Sequence, residues 1–180
     1  TQGNIPIRIT GADDATIPVA GQVSLAFNTL KQNAALVDFL TAGAQLIGAA
    51  ATDILLGGSG ANRLEGRGGN DVLFGAAGAD RFVFRAGEAF DTILDFATGE
   101  DTLDFTGMSV NHVSTIVNGG ATFVFVETAG GQIMQIGVNG VVQAGDLSGV
   151  ATNFYMQGNE AANTLVGGAG LDVLDGKVGD

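Results

Sequence analysis

The sequence predicts an all-β protein built around a parallel β-solenoid, with antiparallel strands appended and a short helix as one reading of its N-terminal part. Two observations predict the solenoid. First, three residue classes recur every nine positions in one register: Gly57, Gly66 and Gly75; Asp53, Asn62, Asp71 and Asp80; Leu46, Leu55, Leu64, Leu73 and Phe82. A period of nine is neither a helical heptad nor a plain strand alternation, and a tandem repeat of this length sets the architecture before any local signal does. Second, each unit divides in two. Six positions are small or glycine and end in Asp or Asn, and three read x-apolar-x, as in Arg63-Leu64-Glu65 and Val72-Leu73-Phe74. The triplet is a short strand with its middle side chain inward. The glycine-rich six form a turn that uses positive φ, which glycine adopts at little cost. Two units make one coil, so repeats n and n+2 stack in one sheet and n and n+1 face each other across a thin apolar core.

That stacking sets acids above one another. Asp53 comes to lie over Asp71, and Asn62 over Asp80, at about the 4.8 Å strand spacing. Two bare carboxylates about 5 Å apart repel by roughly 3 kcal/mol at an effective dielectric of 20. Each glycine adds about 0.5–1 kcal/mol of chain entropy relative to alanine. A hard divalent cation between turns removes the difficulty, because calcium takes six to eight oxygens from carboxylates and backbone carbonyls. The alternative is a metal-free solenoid held by Asn and Asp turn ladders.

The units resemble the RTX nonapeptide of hemolysin-type calcium-binding proteins, G-G-x-G-x-D-x-U-x with U a large apolar residue. Gly57 to Glu65 matches with Asn62 for Asp, Gly66 to Phe74 matches apart from Arg67, and Gly75 to Val83 matches apart from Ala76. Gly158 to Val166 is a weak copy with Asn163 and Leu165. Gly167 to Asp175 is the cleanest copy, and Gly176 to Asp180 begins another. The resemblance implies a calcium-binding parallel β-roll holding several Ca2+ ions. It implies side-chain ligands at Asp53, Asp71, Asp80 and Asp172, and carbonyl ligands at turn residues Gly57, Ser59, Gly66, Gly68, Gly75, Ala77, Gly167 and Ala169. Asn62 and Asn163 are departures. An amide oxygen can ligate calcium, but the change removes one charge. The stretch Phe90-Asp91-Thr92-Ile93-Leu94-Asp95-Phe96, with Gly99 to Gly107 after it, is similar to the segment that closes the roll in serralysin-type secreted metalloproteases. Asp95 and Asp101 are candidates there for a further calcium site, the alternative being acids that cap strand ends and turns.

Four segments are expected. Residues 1–45 form an N-terminal part, where Ile5, Ile7 and Ile9 alternate as a strand, as do Val23, Leu25 and Phe27. Residues 29–41 read as a helix capped by Asn28 or Thr29 and stopped at Gly43, or else as irregular solenoid coils. Residues 46–107 are the first roll with its closing segment. Residues 108–148 are antiparallel, with Val113–Val117, Ala121–Val126 and Gln132–Val138 as runs of β-formers. The signals Asn118-Gly119-Gly120 and Ala129-Gly130-Gly131 separate those runs. Residues 149–180 are a second roll that stops inside a repeat, so further chain is expected in the full product.

Composition narrows the function. There are 19 acidic and 7 basic residues, a net charge of −12, and no cysteine. The charge opposes nucleic-acid and anionic-membrane binding, and neither disulfides nor thiol chemistry is available. No run of 18 apolar residues suggests a membrane helix, and no cleavable signal peptide is visible. Type I secretion, which the resemblance implies, uses none. His112 is the only histidine, so no H-E-x-x-H zinc site forms, and no serine lies in G-x-S-x-G. The phased acids point to metal ladders rather than to a glycosidase pair. The expectation is therefore not an enzyme. It is a calcium-binding module of a secreted or cell-surface bacterial protein that folds outside the cell and serves structure, stability or export. Expected partners are the type I machinery and either another copy or the rest of a larger chain. The alternatives are a calcium-held structural protein of a surface layer, and the non-catalytic accessory domain of a secreted hydrolase.

The outward strand positions differ between the two faces. Ile54, Leu56, Val72 and Phe74 make one apolar, while Arg63, Glu65, Arg81 and Val83 make the other mostly charged. The apolar face is expected to be covered by Leu30–Leu40, by the strands between Val113 and Val138, or by a neighbouring copy.

Overall fold

A computed structural model describes residues 5–10, 16–19, 43–150, 154–158 and 173–176. The expected helix over 29–41, the strand over 23–27 and the second-roll positions Asn163, Gly167, Ala169 and Asp172 lie outside the described residues.

Every strand triplet expected of the first roll forms. β3 (Gln45–Ile47), β4 (Ile54–Leu56), β5 (Arg63–Glu65), β6 (Val72–Phe74) and β7 (Arg81–Val83) each hold three residues, and β8 (Asp91–Ile93) and β9 (Thr102–Asp104) continue the series. Alternate triplets stack in parallel. β3, β5, β7 and β9 join one sheet, with Leu46 beside Leu64 and Phe82 beside Leu103. β4, β6 and β8 join the other, with Leu55 beside Leu73 and Leu73 beside Ile93. These middle residues are buried and line one thin core with Phe84, Phe96 and Phe105. The rings of Phe84 and Phe105 stack at 5.5 Å. Burying each large apolar side chain contributes about 1.5–3 kcal/mol, which a one-dimensional stack needs because each coil touches only its neighbours.

Other elements complete both sheets. β1 (Ile5–Thr10) runs antiparallel to both β2 (Thr16–Val19) and β3, and so covers the first edge of the roll. At the far edge β13 (Leu147–Ser148) pairs in parallel with β9, making a seven-stranded sheet. β10 (Val110–Asn118), β11 (Ala121–Thr128) and β12 (Ile133–Asn139) are the expected antiparallel run, with β10 and β11 longer than the β-former runs and β12 shifted by one residue. β12 pairs in parallel with β8, setting Gly137 opposite Thr92. β14 (Phe154–Gln157) pairs in parallel with β10, and β15 (Val173–Asp175) with β14. One eight-stranded sheet therefore runs from β4 through the antiparallel run to β15. Tyr155 and Val173 are paired 18 residues apart, the same two-repeat step as in the first roll.

The outer faces correct one expectation. The strands between Val113 and Val138 do not cover Ile54, Leu56, Val72 and Phe74. Ile54 and Phe74 are exposed at 42% and 36%, and Leu56 and Val72 are half-buried. The reason is edge chemistry. The open N–H and C=O row of β8 is satisfied by β12 in the plane of the sheet, so the run prolongs the apolar face instead of folding over it. Phe123, Ile116 and Val173 share that face through the register and are exposed too. Leu30–Leu40, the other intramolecular cover considered, lies outside the described residues. On the opposite sheet Arg63 is part-exposed and Arg81 exposed, as expected, but Glu65 and Val83 are buried. Glu65 sits among three guanidinium groups, with Arg63 at 2.8 Å, Arg85 at 3.4 Å and Arg67 at 3.7 Å.

Asp104 on the same face predicts a pH dependence. Burial pushes its carboxyl up, but Arg81 Nε at 2.7 Å and the Thr106 hydroxyl and amide outweigh that and hold it at about 2. A depressed carboxylate stabilises the fold above its ordinary value of 3.8 and loses that contribution as pH falls toward 2. Arg81 is half exposed, so the contribution is screened to about 1 kcal/mol. Asp104→Asn should lower stability by that amount at pH 7 in urea unfolding. The gap from wild type should close between pH 4 and pH 2, and a gap that stays constant would contradict this account.

Candidate metal centre

The sixth-position side chains form two ladders on opposite edges of the roll. On one edge Asp71 Oδ1 accepts the Asp53 N–H at 2.8 Å, and Asp91 Oδ1 accepts the Asp71 N–H at 2.9 Å. On the other, Asn62 Oδ1 accepts the Ala44 N–H at 2.9 Å, Asp80 Oδ1 accepts the Asn62 N–H at 2.8 Å, and Asp101 Oδ1 accepts the Asp80 N–H at 2.9 Å. One terminal atom of each side chain thus pins the rung before it. The ladder keeps going where the period lengthens, since Asp71 to Asp91 spans 20 residues and Asp80 to Asp101 spans 21.

The second terminal atom decides what each position can hold. Asp71 Oδ2, Asp80 Oδ2 and Asp91 Oδ2 are buried without a hydrogen-bond partner. Leaving a buried carboxylate oxygen unpaired costs on the order of 1–3 kcal/mol or more. Burial raises the Asp71 carboxyl, with the Asp53 charge adding to it. Burial likewise pushes Asp80 up to about 7, with charge from Asp101 and Asp95 adding, and Asp91 up to about 7, with charge from Asp71 adding. Asp53 and Asp101 differ, because each spends Oδ2 on an amide of its own turn, Ala49 N–H at 2.6 Å and Ala97 N–H at 2.8 Å. Asp95 sets both oxygens on the amides of Gly75 and Ala76, at 3.0 and 2.7 Å.

First-position glycines leave the space around these oxygens open. A Cβ on Gly48 would lie 2.5 Å from the Gly66 carbonyl oxygen and 2.6 Å from Asp53 Oδ2. A Cβ on Gly66 or Gly75 would collide with Asp71 Oδ2 or Asp80 Oδ2. Carboxylate and carbonyl oxygens therefore converge where any larger residue would intrude. Among the described residues no three acidic or imidazole side chains gather at one point, so the donor set is one carboxylate per turn plus backbone carbonyls. That all-oxygen set suits a hard cation such as calcium and excludes softer metals that want thiolate or imidazole. Second-position glycine is replaced by Arg67 and Ala76, which stand in the left-handed region at φ 71° and 72°.

A family model for the RTX calcium-binding nonapeptide repeat matches residues 47–82 and 155–180 in four copies. The chain carries RTX calcium-binding repeats. Among solved structures, it is similar to a solution structure of a subunit of the Azotobacter vinelandii mannuronan C5-epimerase. The identity is 22% over 59% of this chain and 77% of that one, with a TM-score of 0.25. No curated protein matches the chain.

The RTX register places the remaining sequence candidates plainly. Gly57, Ser59, Gly66, Gly68, Gly75 and Ala77 all lie in the turns that precede Asn62, Asp71 and Asp80. At Asn62 the amide oxygen accepts the Ala44 N–H and the second terminal atom is an NH2. Asp91 and Glu88 were missed. Asp91-Thr92-Ile93 repeats the D-x-U signature of Asp71-Val72-Leu73, but its turn is two residues longer and breaks the phase. Glu88 sits in that longer turn, 9% exposed, with both carboxylate oxygens unpaired. Burial first, then the charges of Asp91 and Glu65, push it up to about 8.

Proposed function

We propose that this chain is a calcium-dependent folding module of a secreted or cell-surface protein, ordered by calcium outside the cell and serving the stability or type I export of a larger chain. The observation that carries the reading is the buried, unpartnered second oxygen of Asp71 and Asp80 inside RTX turns. Asp71 and Asp80 would hold calcium by side chain in the first roll, joined by Asp53 on release of the Ala49 N–H, with carbonyls of Gly57, Ser59, Gly66, Gly68, Gly75 and Ala77. Asp91 extends the Asp53–Asp71 ladder and Asp101 the Asn62–Asp80 ladder on the other edge, and Asp172 with Gly167 and Ala169 would serve the second roll. Bound calcium supplies positive charge and six to eight coordination places. The chain supplies stacked turns in which Asp71 Oδ2, Asp80 Oδ2 and Asp91 Oδ2 have no other partner. No catalytic step is assigned to the module. In the low free calcium of a cytosol the acids and glycines lack compensation, so the chain stays threadable until it is exported.

A second reading, assembly into a calcium-held layer of identical copies, is favoured by the eight-stranded sheet's outer face. Exposed Ile54, Phe74, Phe123, Ile116 and Val173 line it, with Ile133 at 72%. In a chain of net charge −12, the β4 and β6 part of this face presents only Ile54, Leu56, Val72 and Phe74, with the acids Glu127 and Asp175 on strands beyond it, so two copies can approach there without opposing carboxylates.

Circular dichroism with sedimentation tests both readings. With chelator the chain should lose most of its β signal, and about 1 mM calcium, within the range of extracellular modules, should restore it. An unchanged β signal under chelation would sink the first reading. Sedimentation as a monomer at every calcium concentration would sink the second.

A further inference from the structure

We infer that the turn headed by Asn62 takes no cation, because the side-chain amide nitrogen occupies the place that calcium would take. The inference rests on the calcium reading above and refines it rung by rung.

Asp71, Asp80 and Asn62 share one plan, in which a terminal oxygen pins the preceding rung through a backbone N–H at 2.8, 2.8 and 2.9 Å. The other terminal atom is an unpartnered oxygen in Asp71 and Asp80 and an NH2 in Asn62. Asn62 Nδ2 faces four oxygens. It donates to the carbonyls of Gly58 at 3.1 Å, Gly60 and Gly75 at 3.4 Å, and approaches Asp80 Oδ1 at 3.3 Å. Two of these carbonyls come from its own turn and one from the turn stacked upon it, the between-turn position expected of an ion. An amide nitrogen has two hydrogens and no lone pair to offer, so this all-acceptor shell suits it as it would suit a cation.

The orientation of the amide is decided by the same network. Reversed, Oδ1 would face three carbonyls and a carboxylate, and Nδ2 would face the Ala44 N–H, a donor against a donor. For Asn62 to ligate calcium it must make that reversal and release the Ala44 amide. The electrostatics agree, since this rung carries only the Asp80 carboxylate, where the opposite edge stacks Asp53 and Asp71. A neutral donor that satisfies the carbonyls directly leaves calcium little to gain there. The roll thus contains one rung that closes without metal beside the Asp71, Asp80 and Asp91 rungs, whose second oxygens remain unpartnered.

The test counts ions. Calcium bound per full-length chain is measured by equilibrium dialysis at saturation for wild type and for Asn62→Asp, which restores the unpartnered oxygen. Asn62→Asp should bind one more ion per chain than wild type. Equal, non-zero stoichiometries would overturn the inference while leaving the calcium reading intact. No binding by either protein would overturn both. Should Asn62→Asp fail to fold, wild type alone decides, through the Asn62 side-chain NH2 in 1H–15N spectra at saturating calcium. Slow solvent exchange is expected of an amide enclosed by carbonyls. Fast exchange would overturn the inference.

Discussion

Asp71→Ala is expected to raise the calcium concentration at the midpoint of folding at least tenfold, whereas Asp175→Ala should move it less than twofold. The two acids occupy different places in the same repeat. Asp71 heads its strand, is 1% exposed, caps the Asp53 N–H with one oxygen and leaves the other buried and unpaired. Truncation removes a proposed calcium ligand and leaves a buried N–H without its acceptor, a loss of about 1–3 kcal/mol. A tenfold shift corresponds to about 1.4 kcal/mol, so the expected change is at the lower end of that range. Asp175 closes its strand on the outer side and is part-exposed, with Gln157 Nε2 at 3.4 Å. Exposed polar contacts of that kind are worth a few tenths of a kcal/mol. Asp71→Asn separates the two jobs of Asp71, because its amide oxygen keeps the Asp53 cap while its NH2 replaces the unpaired oxygen. It should fold at calcium concentrations between those of wild type and Asp71→Ala. Equal midpoints for Asp71→Ala and Asp175→Ala would mean that the turn register is wrong.

The parts of this fold that were legible in the sequence are those set by local periodicity. The x-apolar-x triplets gave every strand from β4 to β7 to the residue, because middle side chains such as Leu64 and Leu73 must point inward and their neighbours outward. The two-repeat stack followed from the same period, as did Asp53 over Asp71. The hairpins at Asn118-Gly119-Gly120 and Ala129-Gly130-Gly131 were legible from their turn residues, and Gly119, Gly120 and Gly131 take positive φ. Sheet order was not legible. Nothing in Ile133–Asn139 states that it will pair with β8 in the plane rather than fold across Phe74, since both choices bury the same alternate residues. That choice depends on which strand edge is open, a non-local property. The site shows the same division. Residue type located Asn62, but not which of its terminal atoms faces the next turn, which depends on the Ala44 amide 18 residues away. Glu88 and Asp91 escaped because a turn two residues longer hides a ladder that the backbone restores in space.

Gly78→Ala should be among the most damaging single-methyl changes in the roll, costing about 3–4 kcal/mol even with calcium saturating. Two independent effects add. Gly78 has φ +113°, outside the range that residues with a Cβ adopt readily, and such strain costs about 1–3 kcal/mol. A Cβ there would also lie 2.8 Å from the Gly60 carbonyl carbon and 2.9 Å from its oxygen. The contact is with backbone of the turn stacked beneath, so it cannot be relieved by a side-chain rotation, and overpacking of this kind costs about 1–3 kcal/mol. Other glycines isolate the terms. Gly119 has φ +60° and open space around it, so Gly119→Ala should cost about 1 kcal/mol from the backbone alone. Gly145 has open space and no positive φ, so Gly145→Ala should stay within about 0.5 kcal/mol of wild type. Urea unfolding of the variants at one saturating calcium concentration reads the order directly. If Gly78→Ala is no worse than Gly119→Ala, the turns do not stack as closely as Gly60 and Gly78 require, and the cradle that the same stacking forms around Asp80 would be looser than described.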